Sequence, residues 1–315
     1  MELRRAGHAT TYVSRKKKGF RRALRKKADL YVAAGGDGTI RDLALALNRS
    51  AAPIAIIPLG TANNIAQSFG VPPSTRRAIQ SWRKSAPRPL DMAVARGPWR
   101  KVEVVESVGC GLFSRAVAVR RREEEEAESE GEKDSHNKSS NPSARLKQDL
   151  DLLAKILGAS RPQSYRIWLD GKEHSGDYLL VEVMNISCVG PNLLLAPDAD
   201  PGDGRLDVVL LPERERRRFS AYLKARRAGD EPRPRWRVRR ASEIRIEAAI
   251  DWVHLDDNVW PEVEDAGSAA PRKIRIDISI QPGARTVLLP RPLPGQIQRT
   301  DGSVGVAGRG DTNRS

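Results

Sequence analysis

Gly-Gly-Asp-Gly-Thr, residues 35–39, lies between the apolar run 30–34 and the helix-like segment 40–47. A glycine-rich turn between a strand and a helix is typical of a phosphate site. Glycine lets the backbone come close to a ligand, and the start of a helix presents free N–H groups to an anion. Asp37 departs from this pattern, because a carboxylate repels phosphates unless it holds or orients a metal ion. A tight turn in which Asp and Gly are only turn formers is the alternative.

A second strand, glycine turn and helix follow within about twenty residues. Ile-Ala-Ile-Ile, residues 54–57, reads as a buried strand and leads into Pro-Leu-Gly-Thr-Ala-Asn-Asn-Ile-Ala, residues 58–66. Thr61 and Asn63 are candidate N-cap residues, so helix capping alone is one explanation of this turn. Two such turns in tandem predict two strand ends at one edge of a parallel sheet, where open α/β sheets bind ligands.

The hydrophobic pattern changes along the chain and predicts an α/β part followed by a β part. Up to Asp91, short apolar runs alternate with segments of helical periodicity, which favours a parallel sheet flanked by helices. Beyond Asp91, short alternating or apolar runs predict an antiparallel β-sandwich. The predicted helices of the first part cover residues 15–28, 39–48, 61–69 and 74–84, and its strands cover 30–34 and 54–57. Predicted strands of the second part begin at residues 101, 164, 178, 206, 243 and 273.

Composition limits the classes of partner without choosing among them. The 315 residues suffice for two domains, and the net charge of +15 is compatible with nucleic acid, an anionic membrane or a phosphorylated ligand. Basic residues crowd segments 15–27 and 213–240. A solvated helix face is the favoured explanation of both clusters, and attraction to anionic lipid is the alternative. The two cysteines support neither a disulfide framework nor a zinc site, which fits a reducing compartment.

Two segments read as unstructured, and none reads as a membrane anchor. Residues 121–143 combine a run of glutamates with a Ser-, Asn- and Lys-rich stretch and are predicted to form a flexible acidic loop. A helix is predicted over 144–157, and a disordered tail over 293–315. There is no leader-like segment and no apolar run of eighteen residues, so we expect a cytoplasmic protein, with any lipid contact made peripherally at the inner membrane surface.

The two turns together resemble the diacylglycerol kinase catalytic family, in particular the bacterial soluble lipid kinases. That family shares its nucleotide-binding fold with NAD kinases and 6-phosphofructokinases, and residues 35–39 alone leave all three open. The Pro-Leu-Gly-Thr-Ala-Asn-Asn turn at this spacing favours lipid kinases. Further stretches resemble family motifs at 89–91 (Pro-Leu-Asp), 107–113 (Ser-Val-Gly-Cys-Gly-Leu-Phe), 195–208 and 255–258 (Leu-Asp-Asp-Asn).

The resemblance implies a diacylglycerol-kinase-like and NAD-kinase-like nucleotide domain over residues 1–92, completed by about 284–292. It implies a β-sandwich lipid-substrate domain over 93–283 that contains the acidic insertion 121–143. The implied activity is ATP-dependent phosphorylation of a lipid hydroxyl with Mg²⁺, on a diacylglycerol-like, phosphatidylglycerol-like or sphingoid substrate at a membrane surface. No nucleic acid partner is expected.

Site residues follow from the same resemblance. Asp37, Asp91 and Asp256 are the implied catalytic carboxylates, with Asp37 organising Mg²⁺ and Asp256 facing the lipid hydroxyl. A second, structural Mg²⁺ site is implied by the Asp203 carboxylate and the main-chain oxygens of Asp200 and Arg205. The implied nucleotide-binding residues are Thr11, Gly35, Gly36, Asp37, Gly38, Thr39, Gly60, Thr61 and Asn63.

The chain also departs from the family pattern. Asn258, Asn64 and Phe113 stand where acids are common, and an amide cannot accept a proton as a carboxylate does. Residues 1–9 lack the strand and Asn-Pro-x-Ser-Gly turn with which members normally begin, so we expect either a misassigned start or an incomplete ATP pocket. His254 can approach the site but is more typical of a core or surface histidine. A soluble-substrate kinase of the NAD kinase type and a non-catalytic, degenerate kinase fold therefore remain alternatives.

Overall fold

The two glycine turns follow two neighbouring parallel strands, β1 (Tyr31–Gly35) and β2 (Ile54–Pro58). All of β2 is buried, as expected for a strand covered on both faces of a parallel sheet. Gly35 pairs with Pro58, so both strands end at the same edge, and the predicted parallel pair is confirmed. The structure, a computed structural model, describes residues 7, 9–15, 17–47, 52–129, 141–262 and 271–290.

Four short helices lie in the described residues of this first part of the chain. Ile40, Leu43 and Ala44 of the second helix are buried in a common core with Ile54 and Ile56 of β2. The helices are α1 (Phe20–Ala23), α2 (Asp37–Ala46), α3 (Asn64–Ser68) and α4 (Thr75–Ser81), with a 3₁₀ turn at Trp82–Lys84.

The prediction of a helix over residues 15–28 is wrong in extent, since only the four residues of α1 are helical. Gly19 precedes α1 with a φ of 102°, a left-handed conformation that does not continue a right-handed helix. Segment 15–27 also carries lysines and arginines without a single acid. Like charges one turn apart destabilise a helix, which explains why the basic segment does not extend α1.

A long antiparallel ribbon connects the two parts of the fold. Strand β3 (Ser85–Gly97) pairs with β16 (Arg272–Pro290) over most of its length. Near its end β16 runs parallel to β2, with Val287 opposite Ile54. The end of β16, within the span 284–292, therefore lies beside β2 in the first sheet. The division of the chain at residues 92 and 93 stays a prediction.

The second part is built from antiparallel strands around an apolar core. Strand β8 (Gly176–Met184) pairs with β5, β6 and β11, and β5 pairs in turn with β14. The structure thus confirms the predicted combination of an α/β part and an antiparallel β part. The remaining strands are β4 (Arg100–Val104), β5 (Ser107–Gly111), β6 (Gln163–Leu169), β7 (Lys172–Glu173), β9 (Cys188–Val189), β10 (Leu193–Leu194), β11 (Leu206–Pro212), β12 (Val238–Ala241), β13 (Glu243–Ile250), β14 (Val253–Leu255) and β15 (Asn258–Trp260).

Within its described ranges, this part is covered by three longer helices: α5 (Leu112–Ser129), α6 (Pro142–Ala159) and α7 (Arg216–Ala228). The predicted helix over 144–157 is confirmed by α6. The prediction of a loop over 121–143 is wrong for residues 121–129, which continue α5. Basic residues one turn earlier pair with the glutamates, as in Arg120–Glu123, and such pairs stabilise a helix. Residues 130–140 and the predicted tail 293–315 lie outside the described residues.

Candidate active site

The two glycine turns touch each other. A Cβ added to Gly60 would lie 2.4 Å from Gly36 Cα, and one added to Gly36 would lie 2.9 Å from Gly60 Cα. Real Cβ atoms do not approach main chain so closely, so glycine is required at both positions. The Leu59 N–H donates to the Gly35 carbonyl over 2.9 Å, which joins the turns through their backbones. The sequence prediction that the turns share one edge is confirmed by this contact.

Asp37, at the start of α2, ties α2 to the start of α3. Its two carboxylate oxygens accept the N–H groups of Asn64 and Ile65, each over 2.9 Å. Burial raises the pKa of Asp37 above its usual value, and the Ile65 and Asn64 N–H groups oppose the shift. Sequence reasoning gave Asp37 a metal-organising role, whereas its visible contacts connect the two turns.

The remaining predicted nucleotide residues line these turns, with one exception. Asn63 has a left-handed φ of 54° and closes its turn by accepting the Gly60 N–H and donating to the Gly60 carbonyl, both over 2.8 Å. Thr39 covers Gly35, where an added Cβ would lie 2.3 Å from the Thr39 hydroxyl oxygen. Thr61 is half-buried in the second turn. Thr11 is exposed and makes no hydrogen bond within the described residues, and its place near the nucleotide stays a prediction.

Two arginines that the sequence did not assign to the site lie beside Gly38. A Cβ added to Gly38 would lie 3.7 Å from Arg41 Nη2 and 3.8 Å from the Arg15 guanidinium. Arg41 is only 8% exposed and forms an ion pair with Asp257, in the turn between β14 and β15. Its guanidinium therefore connects the first glycine turn to the second part of the fold. Both arginines sit where a phosphate group would need positive charge.

Asp256 occupies that turn between β14 and β15. Its φ is 55°, and its carboxylate accepts main-chain N–H groups at 105–107, the shortest bond being 2.7 Å from Glu106. Burial raises the pKa of Asp256 to about 6, while these N–H groups and Arg41 oppose the shift. The positive charge of Arg41 thus acts on both Asp37 and Asp256, and the roles that the resemblance implies for these two carboxylates stay predictions.

Glu106 is a carboxylate of this region that sequence reasoning missed. Burial raises the pKa of Glu106 well above its usual value, and the negative charges of Asp37 and Asp256 raise it further, against the opposing effect of Arg41. Its position directly before the glycine-containing strand β5 was the available signal. The positive charge of Arg41 thus opposes the raised pKa of three carboxyl groups, those of Asp37, Glu106 and Asp256.

Asp91 is joined to the Asp256 region through the Asn185 amide, which donates to the main-chain oxygens of Asp91 and Val105, each over 2.9 Å. It is 1% exposed, and its carboxylate accepts the N–H groups of Gly204 over 2.6 Å and Gly283 over 2.7 Å. Its own N–H donates to the Pro201 carbonyl. Asp91 thus fixes the loop at 200–204 and the irregularity in β16, and within the described residues it forms no hydrogen bond with Asp37 or Asp256.

The predicted second metal loop is neutralised by arginines. Asp203 accepts the Arg205 N–H over 2.9 Å and forms an ion pair with Arg240, while Asp200 lies 3.7 Å from the Arg88 guanidinium. Arg240 thus neutralises the Asp203 carboxylate in this arrangement, and the second Mg²⁺ site stays a prediction. Within the ranges that the structure describes, no group of three or more His, Cys, Asp or Glu side chains is arranged to hold a metal ion.

The three positions that lack the family acids have different surroundings. Phe113 is 3% exposed and packs in the apolar core with Leu179 and Leu180. Asn64 is buried and donates through its amide to the Gly190 carbonyl over 3.0 Å. Asn258, at the start of β15, is exposed. An acid at Phe113 would be buried among apolar side chains, so this substitution is matched by its environment.

A groove of about 390 Å³ opens between α5, α6 and Trp252. Its lining is mainly apolar, with basic side chains at its rim. Arg121 of α5 donates to the Asp257 carbonyl over 3.2 Å, which connects the groove helix to the turn that carries Asp256. The lining residues include Val119, Ile156, Trp252, Arg115, Arg122 and Lys155.

Two family models match the chain. The diacylglycerol kinase catalytic domain matches residues 2–95, and the YegS C-terminal NAD kinase β-sandwich-like domain matches residues 129–286. The chain belongs to the diacylglycerol kinase family. Within this family, a probable lipid kinase YegS-like protein of Pseudomonas aeruginosa is 29% identical over 266 residues, which cover 84% of this chain and 77% of that protein.

Other relatives carry kinase names as well. A diacylglycerol kinase of Mycobacterium tuberculosis is 27% identical over 194 residues, and the chain spans just 56% of that protein's length. A diacylglycerol kinase of Bacillus anthracis has a solved structure that matches with a TM-score of 0.55 at 19% identity, over 87% of this chain and 82% of that chain. The likeness to this solved structure supports the fold alone. Among the helices that the structure describes, none has the length and apolar character needed to cross a bilayer.

Proposed function

We propose that this member of the diacylglycerol kinase family is an ATP-dependent lipid kinase that transfers the γ-phosphate to a lipid hydroxyl. The observation that carries the proposal is the arrangement around Arg41. Its guanidinium has the paired glycine turns on one side and the turn of Asp256 and Asp257 on the other. Phosphoryl transfer depends on positioned phosphates, a cation and an oriented hydroxyl, and these two sides supply groups suited to each need.

On the nucleotide side, the start of α2 and the turn before α3 would hold the phosphates. The first N–H groups of a helix attract anions, and α2 begins directly after Gly36. Arg15 and Arg41, both within 3.8 Å of the Cβ position of Gly38, would add positive charge. Asp37 would keep the two turns at the spacing that the phosphates require.

Mg²⁺ would relieve repulsion in this region, where the negative charges of Asp37 and Asp256 raise the pKa of Glu106. Asp37 and Glu106 are the residues that would hold the ion, since each carboxylate oxygen of Asp37 keeps a lone pair beyond its one N–H bond. A bound Mg²⁺ would neutralise charge on the phosphate oxygens. No step of the proposed reaction uses the loop at 200–205.

On the acceptor side, Asp256 would orient the lipid hydroxyl and accept its proton. With a pKa of about 6, raised by burial, the carboxyl group is mostly ionised at pH 7 and still close enough to neutrality to take up a proton. Glu106 would share this role, because the exposed amide of Asn258 cannot accept a proton. Asp91, with both oxygens bonded to main-chain N–H groups, would support the fold without contacting the substrate.

The groove beside Trp252 would receive the apolar part of the lipid. Its apolar lining suits an acyl or sphingoid chain, and Arg122 and Lys155 suit an anionic headgroup. Diacylglycerol-like, phosphatidylglycerol-like and sphingoid lipids are the proposed substrate classes, with the protein acting at a membrane surface.

Purified protein incubated with γ-labelled ATP, Mg²⁺ and mixed lipid–detergent micelles should label a lipid. Asp37→Ala should abolish labelling, because it releases the start of α3 from α2. Asp198→Ala, which removes an exposed carboxylate of the second part of the fold, is the matched control and should label normally. Absence of lipid labelling by the unmodified protein would overturn the proposal.

The substitutions at Asn258 and Asn64 favour a second candidate, a non-catalytic nucleotide- or membrane-binding fold. In that case ATP should raise the melting temperature without any transfer. A soluble-substrate kinase, the other alternative, should give labelled product without lipid or detergent.

A further inference from the structure

Three strands place Glu182, Gly109 and His254 in one row across the sheet. Glu182 of β8 pairs with Gly109 of β5, which pairs on its other side with His254 of β14. Glu182 is 0% exposed and His254 is 1% exposed. A Cβ on Gly109 would lie 2.0 Å from Glu182 Oε2 and 2.4 Å from His254 Nε2. The glycine therefore provides the space in which the two side chains meet.

Both imidazole nitrogens of His254 have a partner. Nε2 lies 3.0 Å from Glu182 Oε1, and Nδ1 lies 3.0 Å from the main-chain oxygen of Asp256. A carbonyl oxygen only accepts hydrogen bonds, so Nδ1 carries a proton and donates it to this bond. Burial alone would lower the pKa of His254, but the charge and hydrogen bond of Glu182 raise it overall. With both nitrogens engaged, His254 is not placed to act as a base itself.

The turn that carries Asp256 needs external support. A φ of 55° is uncommon for a residue other than glycine and costs free energy. The Asp256 N–H donates to the Ser107 carbonyl over 2.9 Å, and its carboxylate accepts main-chain N–H groups at 105–107. The third polar group of Asp256, its main-chain carbonyl, accepts a hydrogen bond from Nδ1 of His254.

We propose that His254, oriented by Glu182 across Gly109, is a positioning residue that fixes the left-handed Asp256 turn and so aims the Asp256 carboxylate at the acceptor hydroxyl. The inference rests on the proposed kinase function. It concerns the main chain of the turn, so it can also be tested without turnover.

Two substitutions of His254 separate the two hydrogen bonds. In His254→Asn the amide nitrogen falls at the Nδ1 position and keeps the bond to the Asp256 carbonyl, but the contact with Glu182 is lost. In His254→Gln the amide nitrogen falls at the Nε2 position and keeps the contact with Glu182, but the carbonyl loses its donor. Each variant therefore loses one buried hydrogen bond of the same histidine.

A third variant is the control. It loses a buried hydrogen bond at a position far in sequence from the Asp256 turn. Tyr222→Phe removes a bond of 2.9 Å to the Leu194 carbonyl in the core around α7. Melting temperatures of all three variants would show how much folded protein each assay contains. Phosphate transfer would then be measured at a temperature at which all are folded, with kcat and the KM for ATP determined separately.

His254→Gln should lower kcat roughly 10- to 100-fold relative to His254→Asn, with the KM for ATP unchanged, because a displaced carboxylate misaligns the acceptor and not the nucleotide. Tyr222→Phe should leave kcat within about threefold of the unmodified protein. Equal kcat values for the Asn and Gln variants, or a lower value for Asn, would overturn the positioning role.

Hydrogen exchange at the Asp256 amide supplies a second readout that requires no activity. His254→Gln should speed this exchange relative to His254→Asn, because the turn loses its third anchor. If the unmodified protein transfers no phosphate, the kinase function fails, and the exchange comparison still decides the positioning role. Equal exchange in both variants would contradict it.

Discussion

At the scale of single residues, the candidate site concentrates negative charge around Arg41. The Arg41 guanidinium is 8% exposed and opposes the raised proton affinity of Asp37, Glu106 and Asp256. Burying several carboxyl groups together costs free energy, because each disfavours ionisation of the others. Such an arrangement is typical of a site that trades stability for binding or chemistry.

Glu106→Gln should reduce lipid phosphorylation while it stabilises the fold. The folded state raises the pKa of Glu106, so this residue's contribution to stability is lost as pH rises from the ordinary carboxyl range through the raised pKa. Glutamine does not ionise, so the variant does not lose this stability as pH rises. We expect a melting temperature higher by about 2 °C or more at pH 7.5 and a much smaller difference at pH 4, measured by thermal unfolding.

Glu103→Gln, in strand β4 just before the turn that carries Glu106, is the matched control and should shift neither stability nor transfer appreciably. A Glu106→Gln protein that is less stable at pH 7.5 than the unmodified protein would show that the glutamate is satisfied by a partner and is not held under repulsion.

At the scale of elements, the contact between the two glycine turns sets the geometry of the nucleotide side. Gly36→Ala should destabilise the protein by about 1–3 kcal/mol, because the new Cβ would lie 2.9 Å from the Gly60 main chain. Gly38→Ala is the control in the same turn, since its Cβ would meet only arginine side-chain ends at 3.7–3.8 Å.

Thermal unfolding of both alanine variants measures this difference directly. We expect a clear drop in melting temperature for Gly36→Ala and little change for Gly38→Ala. Equal melting temperatures would show that the turns do not pack as described.

Elements that depend on local pattern were predictable from the sequence. Strands β1 and β2 and helix α6 follow from short apolar runs and helical spacing, which act within a few residues. The helix predicted over residues 15–28 is too long because like charges one turn apart oppose it. The loop predicted over the glutamates of α5 is wrong because arginines one turn earlier pair with them and favour a helix.

The candidate site was predictable only in part. Asp37 and Asp256 stand in motifs, so the resemblance located them. Glu106 and Arg41 were missed because their role arises from convergence of α2, the β4–β5 turn and the β14–β15 turn, which are far apart in sequence. Asp91 stands in a motif too, yet its contacts with Gly204 and Gly283 depend on a fold that the motif does not describe.

At the scale of the whole molecule, two connections hold the nucleotide side against the acceptor side. The ribbon of β3 and β16 runs through both parts of the fold, and the ion pair of Arg41 with Asp257 joins α2 to the Asp256 turn. Asp256 is therefore positioned relative to the glycine turns by main-chain pairing and by charge. The central claim is that this arrangement forms a lipid kinase site with Asp256 at the acceptor.

Transfer of label from γ-labelled ATP into the organic-extractable fraction, compared between the unmodified protein and Asp256→Asn, tests that claim most directly. We predict lipid labelling by the unmodified protein and a rate lower by roughly 100-fold or more in the variant, with ATP binding retained, because the acceptor loses its proton-accepting carboxylate. Absence of lipid labelling by the unmodified protein, or equal rates for both proteins, would contradict it.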